Sequence, residues 1–355
     1  MIGLSLLTLV PGRSGAGAET FARGLCRALS RYGTLEYRAF VPKIAPDAGE
    51  GLDSRVVTSY PAAFSIPGRA LAMLRAAVAP GEIRRQLEPE KLSAIHFPLS
   101  VMLPLVPTPP AAVTIHDVLH EVHPRLFSRA ELAYRQLAHG ASLRTAKVVL
   151  TSSRFSEDAL VERLGVPREK VRVVPLAVDL ERFAAGEDPR EPFLLYPANR
   201  WRHKNHERLF EALRLIRRVR PETTLVLTGA GHERRRVPEG VVARGWVGVD
   251  ELVRLYRTAS ALVFPSLYEG FGLPVLEAMA CGCPVAASNV ASLPEVCGDA
   301  ARLFDPTVPE AIAKGVLDLL EEPRDCVQKG LSRVKEFTWK ACVERHEAVY
   351  RELPV

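Results

Sequence analysis

Short apolar runs alternate with longer segments of helical spacing along almost the whole chain. Segments at 2–10, 35–41, 55–57, 94–97, 111–115, 147–151 and 171–175 read as strands. Between them, 20–29, 70–78, 82–87, 128–146 and 152–164 read as helices; Phe21, Leu25, Ala28 and Leu29 form one face of the first. After a linker-like stretch from Leu176 to Pro192 the pattern resumes. Strands are expected at 193–196, 224–228, 241–246, 261–264, 285–287 and 301–304. Helices are expected after Asn205 (Leu209, Leu213, Ile216) and at 250–259, 274–282, 311–320 and 337–353, with a further helical segment opening at Ser292. Repeated strand–helix units imply parallel sheets with helices on both faces. Two repeats of similar size predict two Rossmann-like α/β domains facing a central cleft, over 1–175 and 176–336, with the ligand held mostly by the second.

Composition adds limits. The 355 residues suffice for two domains, and 47% hydrophobic with 25% charged residues is the balance of a globular protein. No apolar run reaches the ~18 residues that span a bilayer, and 2–10 lacks a basic lead, so it reads as a strand and not a signal peptide. Six cysteines, five of them in the C-terminal half, lack zinc-site spacing and read as reduced thiols of a cytoplasmic protein. The net charge of +6 is uneven: residues 1–175 hold 22 Lys and Arg against 15 Asp and Glu, the remainder 25 against 26. The basic half suits a phospholipid surface, hence a peripheral place at the inner membrane face, or a phosphorylated acceptor; a plain solvated surface accounts for it as well. Nucleic acid is disfavoured, because no aromatic residues interleave with the basic ones.

The densest chemistry lies in Glu269-Gly-Phe-Gly-Leu-Pro-Val-Leu-Glu277, between an expected strand and helix. Gly270 and Gly272 allow the backbone N–H groups from Gly270 through Phe271 and Gly272 to Leu273 to face an anion, and the helix dipole adds positive charge. Pro274 suits a first helical turn and Gly282 a C-terminal stop. Carboxylates on either side of an anion site need a reason, and sugar or ribose hydroxyls supply one, since a carboxylate accepts two O–H bonds. Read singly, each glutamate is an ordinary surface charge; with the glycines and proline between them, one ligand bearing phosphate and sugar hydroxyls fits better. Arg200 and Lys204 follow an expected strand end and offer a fork and a point charge to phosphate oxygens.

In the first half, Gly15 and Gly17 sit in a strand–loop–helix segment whose dinucleotide fingerprint fails at Thr20, so a nicotinamide site is not expected. His116 and Asp117 stand at the end of an expected strand, where a histidine can bond a sugar hydroxyl or phosphate. His120 and His123 follow without further ligands, and no metal is expected.

Together these residues resemble the retaining GT-B glycosyltransferases of family 4, the glycogen-synthase-like group, over nearly the whole chain. Glu269 to Glu277 matches the E-x7-E motif with its internal Gly-Phe-Gly-Leu-Pro, and Arg200 with Lys204 matches the basic pair that holds the donor diphosphate. Gly15 and Gly17 match the N-terminal glycine loop, and His116-Asp117 resembles the pair of the mannosyltransferase-like branch, whose histidine reaches the donor sugar. Residues 337–355 match a terminal helix that returns to the first domain. Ala177 and Asn205 stand where relatives commonly have glycine.

The resemblance implies transfer of a hexosyl group from a nucleotide diphosphate sugar, GDP-mannose by the His-Asp branch, to a glycan or lipid-linked hydroxyl with the anomeric configuration retained, and no cofactor. It places Glu277 on the ribose diol, Glu269 on the donor sugar, and the backbone of Trp246 and Val247 beside the base. A phosphorylase or epimerase on the same plan, or a non-catalytic nucleotide-sugar-binding partner, are the alternatives.

Overall fold

The computed structural model describes residues 1–11, 17–62, 64, 66–87, 91–105, 109–232 and 237–354. The chain divides into two compact units, Met1–Pro175 with Trp339–Val355, and Leu176–Thr338.

Among the described residues the first unit holds seven strands: β1 (Ile2–Ser5), β2 (Tyr37–Pro42), β3 (Ser54–Val57), β4 (Ala94–Phe97), β5 (Ala111–Thr114), β6 (Val148–Thr151) and β7 (Val171–Val173). All pairings are parallel, in the order β3-β2-β1-β4-β5-β6-β7. The second unit holds β8 (Glu191–Pro197), β9 (Thr224–Thr228), β10 (Val241–Gly245), β11 (Ala259–Phe264), β12 (Val285–Ser288) and β13 (Arg302–Phe304), also parallel, in the order β10-β9-β8-β11-β12-β13. These are the two Rossmann-like sheets that the apolar pattern predicts. In each, the strand order reverses beside the first strand, at β1/β4 and at β8/β11. The carboxyl ends of such a pair form the crevice where open α/β sheets bind ligands.

Burial explains the register. Leu194, Leu195, Leu225, Leu227, Leu262, Val263 and Phe264 are fully enclosed, and the helix His206–Val219 lays Leu209, Leu213 and Ile216 over them. Each such side chain contributes about 1.5–3 kcal/mol on burial. In the first unit the helix Gly17–Tyr32 buries Phe21, Leu25, Ala28 and Leu29, the face read from sequence.

Two expectations need correction. The first strand ends at Ser5, and Leu6, Leu7 and Leu9 are buried in the turn that follows instead of extending it. A helix over Pro323–Arg333, absent from the sequence reading, buries only Cys326 and Gly330 and so carries no apolar stripe.

The terminal helix Trp339–Glu352 belongs to the first unit and packs beside the helix Gly17–Tyr32. Its Glu347 is almost wholly buried and accepts hydrogen bonds from Thr34 N, Thr34 Oγ1, Leu35 N, Tyr37 Oη and Arg351 Nη2. Burial alone would raise this carboxyl, but the bonds from Thr34, Tyr37 and Leu35 prevail and hold it at about 2. All six cysteines are buried free thiols.

Candidate functional site

In the second unit the loops that leave β8 and β11 meet at the switch point. Lys204 Nζ donates to Glu269 Oε1 at 2.6 Å, with 19% and 13% of the two side chains exposed. The two loops are also tied through backbone: Leu267 N donates to His203 O at 2.8 Å, and Tyr196 Oη donates to Lys204 O at 2.7 Å. A lysine ammonium has three N–H donors, so two remain for an anion after Glu269 takes one.

Arg200 takes a different direction. Its Nη2 donates to Glu207 Oε1 at 3.0 Å and its guanidinium lies 6.0 Å from the Phe210 ring centroid. Its Nη1 is buried with no hydrogen-bond partner among the described residues. A charged donor left unpaired in a buried place costs stability unless a ligand oxygen meets it.

Asn205 explains one departure from the family pattern. Its backbone is left-handed (φ 61°, ψ 33°), a conformation that glycine adopts freely and asparagine tolerates. The amide recovers the strain by donating to Pro265 O at 3.0 Å and Pro306 O at 2.7 Å, which locks the end of the Lys204 loop onto its neighbours.

The helix Leu273–Ala280 begins at Gly272, whose φ of 109° excludes ordinary side chains; a Cβ there would lie 2.6 Å from Leu293 Cδ2. Pro274 sits in the first turn and Gly282 (φ 70°) follows the helix end, as read from sequence. Ser292 Oγ donates to Glu269 O at 3.0 Å and Phe271 O at 2.7 Å, pinning the loop. Phe271 turns its ring into the core against Phe337, so only its backbone can meet a ligand.

Glu277, on this helix, is partly buried, and Tyr256 Oη donates to its Oε2 at 2.9 Å. Burial pushes the carboxyl up to about 7, against the opposing hydrogen bond from Tyr256. One oxygen is thus held by the fully buried Tyr256 while the other stays open to a further donor.

Sequence reading did not assign roles to Tyr256, Asn199 or Gly229. Asn199 Oδ1 accepts from Ala230 N at 2.7 Å, joining the loop after β9 to the loop after β8. Gly229 has φ 111°, and a Cβ would meet Ala198 C and Asn199 N at 2.9 Å. The Gly229-Ala-Gly231 spelling after a strand was the available signal; nothing in the sequence connected Tyr256 to Glu277. Trp246 follows β10 at the same end of the sheet and is 65% exposed, and Val247 packs partly against the core.

The first unit carries the remaining candidates. Gly15 lies outside the described residues. Gly17 opens its helix, and a Cβ there would meet nothing within 4 Å among the described residues. His116 follows β5; its Nε2 pairs with Pro98 O at 2.9 Å and its ring stands edge-on to Phe21 at 5.1 Å. Burial lowers its pKa. A neutral ring with its N–H spent on a carbonyl leaves Nδ1 as an acceptor, which suits a hydroxyl and not a phosphate. Asp117 Oδ1 accepts from Leu119 N at 2.9 Å and so holds the turn that follows.

Two family models match the chain, one described as glycosyl transferases group 1 over residues 178–333 and one as glycosyltransferase family 4 over residues 15–182. The O-antigen chain mannosyltransferase B of Escherichia coli is 32% identical over 273 residues, spanning 68% of this chain and 70% of that protein. The MMP alpha-(1->4)-mannosyltransferase of Mycolicibacterium hassiacum is 30% identical over 220 residues, 58% of this chain and 54% of that protein. Among solved structures, sucrose-phosphate synthase from Thermosynechococcus elongatus superposes with a TM-score of 0.79 at 22% identity, covering 99% of this chain and 98% of that one.

Proposed function

The chain belongs to the GT-B glycosyltransferases of family 4, and from that premise we propose that it moves a mannosyl group from a nucleotide diphosphate sugar to a hydroxyl of a glycan or lipid-linked acceptor, with retention. The observation that carries this reading is the Lys204–Glu269 pair at the β8/β11 switch point, beside a helix that begins at Gly272. Cation, helix N-terminus and carboxylate side by side suit a ligand with phosphate at one place and hydroxyls at the next. Mannose is favoured because two of the relatives are mannosyltransferases.

Departure of the nucleotide diphosphate from an oxocarbenium-like centre is the costly step. In this reading the two free Lys204 donors, the unpaired Arg200 Nη1 and the N–H groups at Gly272 and Leu273 stabilise the growing phosphate charge. Glu269 holds Lys204 and accepts a hydroxyl of the transferred sugar. Glu277 accepts the ribose diol through its open oxygen, and His116 Nδ1 is an acceptor for a sugar hydroxyl. The departing phosphate takes the acceptor proton on the same face, so no carboxylate nucleophile is required.

Release of nucleoside diphosphate from GDP-mannose in the presence of glycan acceptors tests the reading, with the anomeric configuration of the product read by NMR. Lys204→Ala is expected to lower turnover more than about a hundredfold with an unchanged circular dichroism spectrum. Normal turnover in that variant removes the diphosphate role from Lys204. Phosphate-dependent cleavage, or free sugar isomers formed without acceptor, would favour the phosphorylase or epimerase alternative.

A further inference from the structure

Large apolar side chains left in water on the first unit are concentrated in one place. Among the described residues of that unit, seven are exposed, and six of them are Phe64, Leu71, Leu74, Val78, Tyr134 and Leu137. Leu71, Leu74 and Val78 recur three and four apart on the helix Ile66–Val78, so they share a face. That helix buries Ala72 and Ala76 and turns Leu71, Leu74 and Val78 outward, the reverse of an ordinary amphipathic surface helix. Tyr134 and Leu137, one turn apart on the helix Arg129–Thr145, adjoin them: Tyr134 Oη lies 2.8 Å from Met73 Sδ.

Charge gathers on the same segments. Residues 64–91 and 123–147 hold ten Lys and Arg against four Glu, a net +6 out of the +7 found over 1–175. Arg75, Arg85, Arg125, Arg129 and Arg144 are exposed.

We propose that this face of the first unit docks on an anionic lipid surface, with Leu71, Leu74, Val78 and Leu137 entering the boundary between headgroups and acyl chains and the arginines meeting lipid phosphates. Outward leucines with basic neighbours are what interfacial binding needs, and neither element alone suffices. A second copy of the chain is a poorer occupant, because a two-fold contact through this face would set the exposed arginines of one copy against those of the other. Docking here would bring a lipid-borne acceptor to the enzyme without a spanning helix, and no helix among the described residues is long and apolar enough to cross a membrane.

Co-sedimentation of the full chain with phosphatidylcholine vesicles, with and without an equal share of phosphatidylglycerol, tests this. The wild type should sediment with the anionic vesicles only, and less as salt rises from about 0.1 to about 0.5 M. Leu71→Ser/Leu74→Ser/Val78→Ser should cut the bound fraction about tenfold; the three sites are exposed, and an unchanged thermal melt would show that the fold survives. Equal sedimentation of wild type and triple variant, or none by either, overturns the proposal. So does a concentration-dependent dimer that the triple variant abolishes, which would make the face a self-contact. The assay contains no nucleotide sugar, so its failure leaves the transfer reaction untouched.

Discussion

Replacing Glu277 with glutamine should make the protein more stable and less able to bind its ligand. Burial raises the Glu277 carboxyl from an ordinary 4.5 to about 7. The folded state therefore holds that proton more tightly than the unfolded state, and between pH 4.5 and 7 stability falls as pH rises. The accumulated cost above pH 7 is at most about 3 kcal/mol, less whatever water the partly exposed carboxylate retains. Glutamine does not titrate, keeps the shape, and its carbonyl still accepts from Tyr256 Oη. The gain of Glu277→Gln should be near zero at about pH 5 and reach about 1–3 kcal/mol at pH 8, or roughly 3–10 °C for a unit of this size. Thermal melts at both pH values read it. Isothermal titration with GDP or UDP at pH 8 should show affinity reduced about tenfold or more, since a bond to a charged acceptor is worth about 1.5–3 kcal/mol. A variant less stable than wild type at pH 8, or a difference that does not change with pH, would refute the account of Glu277 as a strained acceptor kept for its ligand.

Tyr256→Phe should leave the fold intact but lower affinity for a ribonucleoside diphosphate several-fold, with little effect on the 2′,3′-dideoxy form; an equal loss for both would make Tyr256 merely structural. Glu347→Gln should destabilise the first unit by about 3 kcal/mol at pH 7, because the depressed carboxyl contributes fully above pH 4.5 and loses its contribution as pH falls toward 2, while an amide N–H₂ would face the Thr34 and Tyr37 donors; urea denaturation at pH 7 checks it, and a change under about 1 kcal/mol contradicts it. Gly229→Ala should cost about 2–4 kcal/mol and weaken nucleotide binding, as its Cβ would strike the Ala198–Asn199 backbone; a thermal shift below about 2 °C would dispose of this.

Strands such as β1, β5, β6 and β12 were legible because parallel strands covered on both sides are short apolar runs; β10, at a sheet edge, is largely exposed and carries Arg244 within its run. The helix Pro323–Arg333 was not, because Cys326 and Gly330 are small and its remaining face is charged; tertiary packing defines it without leaving a stripe. In the site, glycines and acids were legible because their chemistry is local. Gly272 must turn left-handed before a helix, and Glu269 and Glu277 flank that turn. Tyr256 was not, since on the helix Val249–Thr258 it spells an ordinary core residue, and its meaning lies in an atom of Glu277, 21 positions on. Glu347 was hidden for the same reason, with Thr34, Leu35 and Tyr37 more than 300 residues away.

The two deeply set glutamates argue the difference between holding a fold and holding a ligand. Glu347 has a donor for nearly every lone pair, its carboxyl is pulled far down, and its neighbours leave no room for anything else. Glu277 receives one bond from the protein, and burial drives its carboxyl up. An under-satisfied carboxylate lowers stability, and selection for stability alone would replace it with glutamine or leucine. The same tension recurs beside it, where Arg200 keeps Nη1 buried with no hydrogen-bond partner among the described residues. Two under-satisfied groups beside the β8/β11 switch point are more than packing accounts for, and both are put to use by a ligand that brings phosphate oxygens to Arg200 and hydroxyl donors to Glu277.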